Sequence, residues 1–338
     1  MRAEEEASVK EESAAIPGLD ARYLADMRER EMGGEGLFRV GAEGVERILA
    51  TADEKAEFIV YRDKTLAYVR SQMGHPAIYP LKDVRFEPPA AAVLMDLDGT
   101  SVRSEHFWVW IIERTTAAML GDESFAFEPA DEPYVSGHSV SEHLQHCLRK
   151  YCPGRTIVEA RERYFEITHR EMAKILAGEG RDDAFVPAPG LKPFLLAMKE
   201  HGVKIGLVTS GLYEKAWPEI VAAFRRMDLG DPVEFYDAII TAGYVPRRGQ
   251  VGTLGELEAK PHPWLYAETA RVGLGIEPSD AHRVIGLEDS GPGIVSVRLA
   301  GFAAIGVDGG NIASCGARPL LHDLCKDLNE ARRLVLGS

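Results

Sequence analysis

Five short apolar runs, at residues 91–95, 203–208, 238–240, 284–287 and 303–307, recur along the later part of the chain. Each is continuous rather than alternating, which is how a strand reads when both of its faces are buried in a parallel sheet. Stretches with helical spacing lie between or after them, at residues 191–201, 213–227, 263–272 and 293–299. Strand and helix in alternation predict an α/β fold, a Rossmann-like three-layer parallel sheet with right-handed crossovers. One interval breaks the rhythm. Roughly 100 residues separate the first run from the second, and they read as helices at 107–120, 141–150 and 157–176. An insertion of that size predicts a separate helical cap over residues 104–186, leaving 91–103 and 187–338 as the core.

The first 90 residues follow a different pattern. Apolar periodicity is sparse up to Glu35, so residues 1–35 are expected to form a loosely ordered acidic leader. Residues 36–90 are expected to form a small N-terminal extension ending at Pro88-Pro89. Within it, residues 58–61 and 66–69 fit the two arms of a hairpin about equally as well as a helix, and pattern alone leaves both open.

Charge and composition narrow the function. The chain has 338 residues, 45% hydrophobic and 27% charged, with 39 Lys+Arg against 53 Asp+Glu and a formal net charge of −14. Half of that excess, −7, falls in residues 1–60, which hold 15 acidic and 8 basic residues. An acidic chain with no Lys/Arg run longer than two repels phosphate backbones and anionic lipid heads, so neither nucleic acid nor membrane is an expected partner. The apolar runs are far shorter than the ~20 residues that span a bilayer. The opening Met-Arg-Ala-Glu-Glu-Glu lacks the apolar run of a secretory signal, and the expected location is the cytosol. Cys147, Cys152, Cys315 and Cys325 form neither Cys-x-x-Cys pairs nor zinc spacings, and read as reduced structural thiols.

The chemistry-bearing residues cluster where the strands end. The first run closes in Asp96-Leu-Asp-Gly-Thr100, two carboxylates separated by one residue at the carboxyl end of a buried strand. That end is where open α/β sheets bind ligands, and Gly99 allows the turn that brings both acids to one crevice. Carboxylates so close repel unless a cation intervenes or one keeps its proton. A plain Asp-x-Asp-Gly surface turn is the alternative. The second run closes in Thr209-Ser210-Gly211 before a helix, which reads as an anion cradle or as an ordinary helix cap. Lys260 precedes Pro261, and the fourth run ends in Glu288-Asp289-Ser290.

Each motif is ambiguous singly, but their order along the chain resembles the haloacid dehalogenase-like superfamily, in its capped branch of phosphatases and β-phosphoglucomutases. The resemblance covers about residues 91–310. It implies that Asp96 is the nucleophile that forms an aspartyl-phosphate, and that Asp98 is the general acid and base. It implies a magnesium ion, Mg2+, held by the Asp96 side chain, the Asp98 carbonyl and Asp289, with Glu288 as an additional or water-mediated ligand. Thr209 and the amides of Ser210 and Gly211 would hold phosphoryl oxygens, and Lys260 would compensate charge. The implied activity is hydrolysis of a small phosphorylated metabolite, with a phosphomutase as the alternative and a non-catalytic regulatory role behind both.

Three departures bear on the substrate. Arg103 stands where many relatives carry an acid, and is a candidate for a second anionic group. Trp108 occupies the place of a histidine in related mutases. His138 and Ser139, in a glycine-centred cap loop, are candidate substrate contacts, and the long loop at 245–259 is a candidate flap.

Overall fold

The computed structural model describes residues 16–70, 75–131, 140–181, 183–243 and 257–337. Two sheets dominate the described residues. The N-terminal one is a five-stranded antiparallel sheet of β1 (Arg28–Glu29), β2 (Val45–Ala50), β3 (Ala56–Tyr61), β4 (Thr65–Val69) and β5 (Ala77–Leu81), in that order across the sheet. The second has six parallel strands: β6 (Ala92–Asp96), β7 (Lys204–Leu212), β8 (Ala238–Gly243), β9 (Val284–Glu288), β10 (Ala303–Val307) and β11 (Asp323–Cys325). Its spatial order is β8-β7-β6-β9-β10-β11. This is the expected Rossmann-like α/β sheet, and the strand order reverses direction on either side of β6, the switch point where such sheets bind ligands.

Every residue of β6, β9 and β10 is buried, which explains why these strands read as unbroken apolar runs. Alternate residues feed different layers. Val93 and Met95 join a core with helices α4 (Leu191–Glu200), α5 (Tyr213–Met227) and α8 (Leu328–Leu336), whereas Ala92 and Leu94 face α6 (Trp264–Glu268) and α7 (Gly291–Leu299). β11 was not among the expected strands. It has three residues, two of them exposed, so it carries no apolar signature.

Helices α1 (Glu105–Leu120), α2 (Val140–Lys150) and α3 (Ile157–Ala177) occupy the long interval between β6 and β7. α3 starts and stops on local signals: Thr156 and Glu159 form a reciprocal capping box, and Gly178 closes it in the left-handed conformation. The chain enters and leaves this helical insertion through a two-stranded ribbon in which Val102–Arg103 pairs antiparallel with Val186–Pro187.

The N-terminal residues depart from expectation. The segment from Ile16 onward, expected to be loose up to Glu35, is docked: Ile16, Leu19, Leu24 and Met27 are buried. Arg318 clamps Asp26 through two hydrogen bonds, and the Asp20 amide donates to the Pro319 carbonyl. Four apolar residues scattered among acids suffice because they insert into a surface that already exists, which no local periodicity records. Residues 56–61 and 65–69 form adjacent strands, resolving the open choice in favour of the hairpin.

The extension also shares a core with the catalytic part. Phe58, Val60, Ala67 and Val69 pack in one continuous cluster with Leu94, Leu265, Ile294 and Val297. We therefore expect Phe58→Ala, which empties a fully buried site, to cost about 3–5 kcal/mol. All four tryptophans lie between residues 108 and 264, so tryptophan fluorescence reports mainly the part of the chain beyond the extension. Its urea midpoint should fall together with that of the backbone circular dichroism; an unmoved fluorescence midpoint would show two independently folded units.

Candidate active site

Strand register brings the motifs to one level. Asp96 pairs with Val208, so Thr209 follows directly beside it, while Met95 pairs with Leu287, so Glu288 lies on the other flank. Three adjacent carboxyl ends thus deliver Thr209, Asp96 and Glu288 in a row. Gly99 turns the chain after β6 with φ +85°, a conformation that costs glycine little. A Cβ there would lie 2.1 Å from Asp289 Oδ2, and one at Gly310 would lie 2.6 Å from the same oxygen. The two glycines therefore let both loops close on the Asp289 carboxylate. Thr100 Oγ1 donates to Asp289 Oδ1 at 3.2 Å.

Asp96, Glu288 and Asp289 each offer an oxygen within 4.8 Å of the others. Lys260 is the one cation that the structure sets directly on this cluster among the described residues: its ammonium donates to Asp96 Oδ1 and, at 2.6 Å, to Glu288 Oε1. Burial pushes the Lys260 ammonium toward neutrality, but the Asp96 and Glu288 carboxylates outweigh it and hold the charge. Burial, then the charge of Glu288, pushes Asp96 well above the usual carboxylate range against the pull of Lys260. The same two causes push Asp289 up to about 7. Two buried acids and the part-buried Asp289 against one ammonium leave room for further positive charge, and a hard, oxygen-seeking divalent cation suits that donor set.

Glu288 is committed elsewhere. Its Oε1 accepts from Lys260 and from the Tyr266 hydroxyl, and its Oε2 accepts from Ser290 Oγ at 3.0 Å. Gly293 at the start of α7 leaves space for it, since a Cβ there would lie 1.9 Å from the carboxyl carbon. The expected role as an additional cation ligand therefore competes with an internal duty: Glu288 orients and charges Lys260. Asp96 and Asp289 are the acids left free to face a cation.

Asp98 turns to the cap side. Ser104 Oγ donates to its Oδ1 at 2.7 Å, and Lys215 Nζ stands 3.7 Å away. Burial pushes the Asp98 carboxyl up, but Lys215, the Ser104 hydroxyl and Glu219 together outweigh it and hold it below the usual range. Glu219 is fully buried, and burial with the neighbouring Asp98 charge pushes it well above the usual range. The Lys215 ammonium also lies 4.2 Å from the centroid of the Trp108 ring. None of Lys215, Glu219 and Tyr266 was a sequence candidate. The one available signal was the i, i+4 placement of Lys215 and Glu219 on α5, which by itself suggests a surface pair.

The remaining candidates fare unequally. Thr209 is buried and its Oγ1 accepts from the Gly211 amide at 2.9 Å, so that amide is already engaged, while Ser210 Oγ accepts from the Lys260 amide at 3.2 Å. Arg103 is exposed on the ribbon, opposite Val186. His138 and Ser139 lie outside the described residues, as does most of the loop at 245–259. All four cysteines are free and buried, away from the expected chemistry. No described helix is long and apolar enough to cross a membrane.

The extension reaches the loop that carries Lys260 through Tyr79. The Tyr79 hydroxyl and His262 Nδ1 share a hydrogen bond of 2.8 Å, and Ser296 Oγ donates to the His262 carbonyl at 2.5 Å. Burial pushes His262 below its ordinary value, which favours the neutral ring. Two residues from Lys260, it pins the loop that carries that lysine to β5 and α7.

Comparison with known proteins identifies the family and the fold. Residues 90–301 match the family model for haloacid dehalogenase-like hydrolases. The glyceraldehyde 3-phosphate phosphatase of Methanopyrus kandleri is 25% identical over 201 residues, covering 56% of this chain and 72% of that protein. Among solved structures, a family IA haloacid dehalogenase hydrolase from Entamoeba histolytica has a TM-score of 0.52 at 16% identity, spanning 73% of this chain and 99% of its own. A predicted phosphoglycolate phosphatase from Haemophilus somnus has a TM-score of 0.50 at 17% identity, spanning 73% and 98%. At these identities the two structures speak to the fold alone.

The raised Asp289 predicts a pH dependence. An unfolded aspartate loses its proton near pH 4 and the folded one near 7, so between those values the folded state binds more protons and stability falls as pH rises. In cation-free buffer the urea midpoint should decline over that window, and Asp289→Asn should flatten the decline. A wild-type midpoint that rises across the window would contradict the buried acid cluster.

Proposed function

The chain belongs to the haloacid dehalogenase-like hydrolases, and from that premise we propose that it is a magnesium-dependent phosphatase of small phosphomonoesters. The observation that carries this reading is the single ammonium of Lys260 joined to both Asp96 and Glu288, with Asp289 completing the acid cluster. The Methanopyrus kandleri relative, by name a phosphatase of a phosphorylated triose, is consistent with it.

In this reading an Asp96 oxygen attacks phosphorus and the bond to the leaving oxygen breaks. A carboxylate needs no base for this step, and Lys260 offsets the charge that nucleophile and phosphate bring together. Asp98 gives its proton to the leaving alkoxide. Water then attacks the aspartyl-phosphate, its proton passes to Asp98, and phosphate departs with Asp96 restored. The carboxylate of Asp98, stabilised by Lys215 and Ser104, is the form that accepts water's proton; the proton gained serves the next leaving group. Thr209 and the Ser210 amide would bind phosphoryl oxygens. Asp96, the Asp98 carbonyl and Asp289 would hold Mg2+, which when bound screens the negative charge of phosphate and acids. Thr100, Gly99 and Gly310 keep Asp289 in place for that contact.

The full-length protein should release phosphate from 4-nitrophenyl phosphate with magnesium and lose that activity to chelator, and Asp96→Asn should abolish it. Asp98→Asn should cost about 10²–10⁴-fold on alkyl phosphates, whose leaving groups need a proton, and much less on 4-nitrophenyl phosphate. Equal losses on both substrates would refute the acid role of Asp98. Interconversion of hexose phosphates without net phosphate release would point instead to a mutase.

A further inference from the structure

Resting on the phosphatase reading, we propose that the physiological substrate is a phosphomonoester whose alcohol carries an aromatic or similarly bulky apolar body, rather than a triose or sugar phosphate. The basis is a cavity of about 580 Å³ between the insertion helices and the start of α5. Trp108 of α1, Val140 of α2, Tyr164 and Phe165 of α3, and Leu212 at the end of β7 supply apolar walls.

One side chain links the cavity to the reacting groups. Lys215 lines it and stands 3.7 Å from Asp98, the acid assigned to the leaving oxygen. Trp108, another wall, holds the same ammonium over its ring. An alcohol whose oxygen is protonated by Asp98 therefore has its carbon body directed into this space.

Size and chemistry both disfavour a sugar. At ~30 Å³ per molecule the volume corresponds to about twenty waters, far more than a three-carbon body fills. A polyhydroxylated body needs a hydrogen-bond partner for each buried hydroxyl; Arg161, Thr168, His169 and Glu214 also line the cavity, but most of its exposed surface is carbon. Phe165 and Leu212 are 44% and 53% exposed, apolar groups open to solvent beside the chemistry, and covering them favours an apolar ligand.

The test compares alkyl phosphates with similar leaving-group basicity on the full-length protein with magnesium. We expect kcat/KM for 2-phenylethyl phosphate to exceed that for glycerol 1-phosphate by about 10- to 100-fold, the worth of burying one phenyl-sized group. Phe165→Ser combined with Leu212→Ser should reduce the preference to less than about threefold by the same reasoning. Both positions are exposed enough for the double variant to fold. Independently, 2-phenylethylphosphonate should inhibit 4-nitrophenyl phosphate turnover at least tenfold more strongly than ethylphosphonate, by the same measure of burial. The inference is overturned if 4-nitrophenyl phosphate is hydrolysed but glycerol 1-phosphate or glyceraldehyde 3-phosphate equals or surpasses the phenylethyl ester. It is also overturned if the preference survives the double substitution, or if the two phosphonates inhibit alike. Failure to hydrolyse even 4-nitrophenyl phosphate would instead refute the phosphatase reading beneath it.

Discussion

A single ammonium group, that of Lys260, joins two buried carboxylates that come from different strands. Buried acids tolerate one another only when a cation stands between them. Much of the surrounding architecture serves to hold that arrangement. β6 and β9 must be neighbours in this register for Asp96 and Glu288 to reach one nitrogen, and Tyr266, Ser290 and Gly293 must frame Glu288 so that its lone pairs point inward. The same crowding pushes Asp289 up to about 7, which makes the cluster a site that gains from additional positive charge. Charge balance at the sheet's carboxyl edge thus links topology to chemistry without any further assumption.

Legibility in the sequence followed from how local each signal was. The parallel strands could be read because burial on both faces leaves continuous apolar runs, and Asp96, Thr209 and Glu288 because each stands at the end of one. The extension was obscure for the same physical reason. β3 is buried on both faces, Phe58 and Val60 toward the shared core and Ile59 toward Val45 and Ile48. A strand without alternation between apolar and polar cannot be told from a short helix. Glu288 was identifiable as an acid at the right place, but its duty to Lys260 depends on Tyr266 and Ser290 converging from separate segments. Lys215 and Glu219 were not legible, because nothing local reveals that α5 turns them toward Asp98.

The extension lies outside the part of the chain that matches the family, yet it is integrated with the catalytic machinery. Its apolar face completes the layer formed by α6 and α7, and Tyr79 reaches the backbone loop that carries Lys260. The position of a buried lysine is sensitive to small backbone shifts, since each of its hydrogen bonds to a carboxylate requires correct distance and direction. A sheet packed against that loop restricts such shifts. On this argument the extension belongs to the stability and precision of the site.

In the proposed reaction the geometry also divides labour between two sides of Asp96. On the sheet side, fixed strand ends hold the groups that meet the phosphoryl moiety, which is common to every phosphomonoester. On the cap side, helices inserted between β6 and β7 form the cavity beyond Asp98, where the variable alcohol must lie. Asp98 sits at the boundary: its backbone belongs to the turn after β6, and its carboxyl is surrounded by Ser104, Lys215 and Glu219 at the cap edge. A change in the cap helices can therefore alter which alcohol is accepted and, through Lys215, the proton affinity of Asp98, while the Lys260 cluster remains as it is. Substrate choice and acid strength are coupled here through one side chain, because the Lys215 that lines the cavity also sets the charge state of the acid.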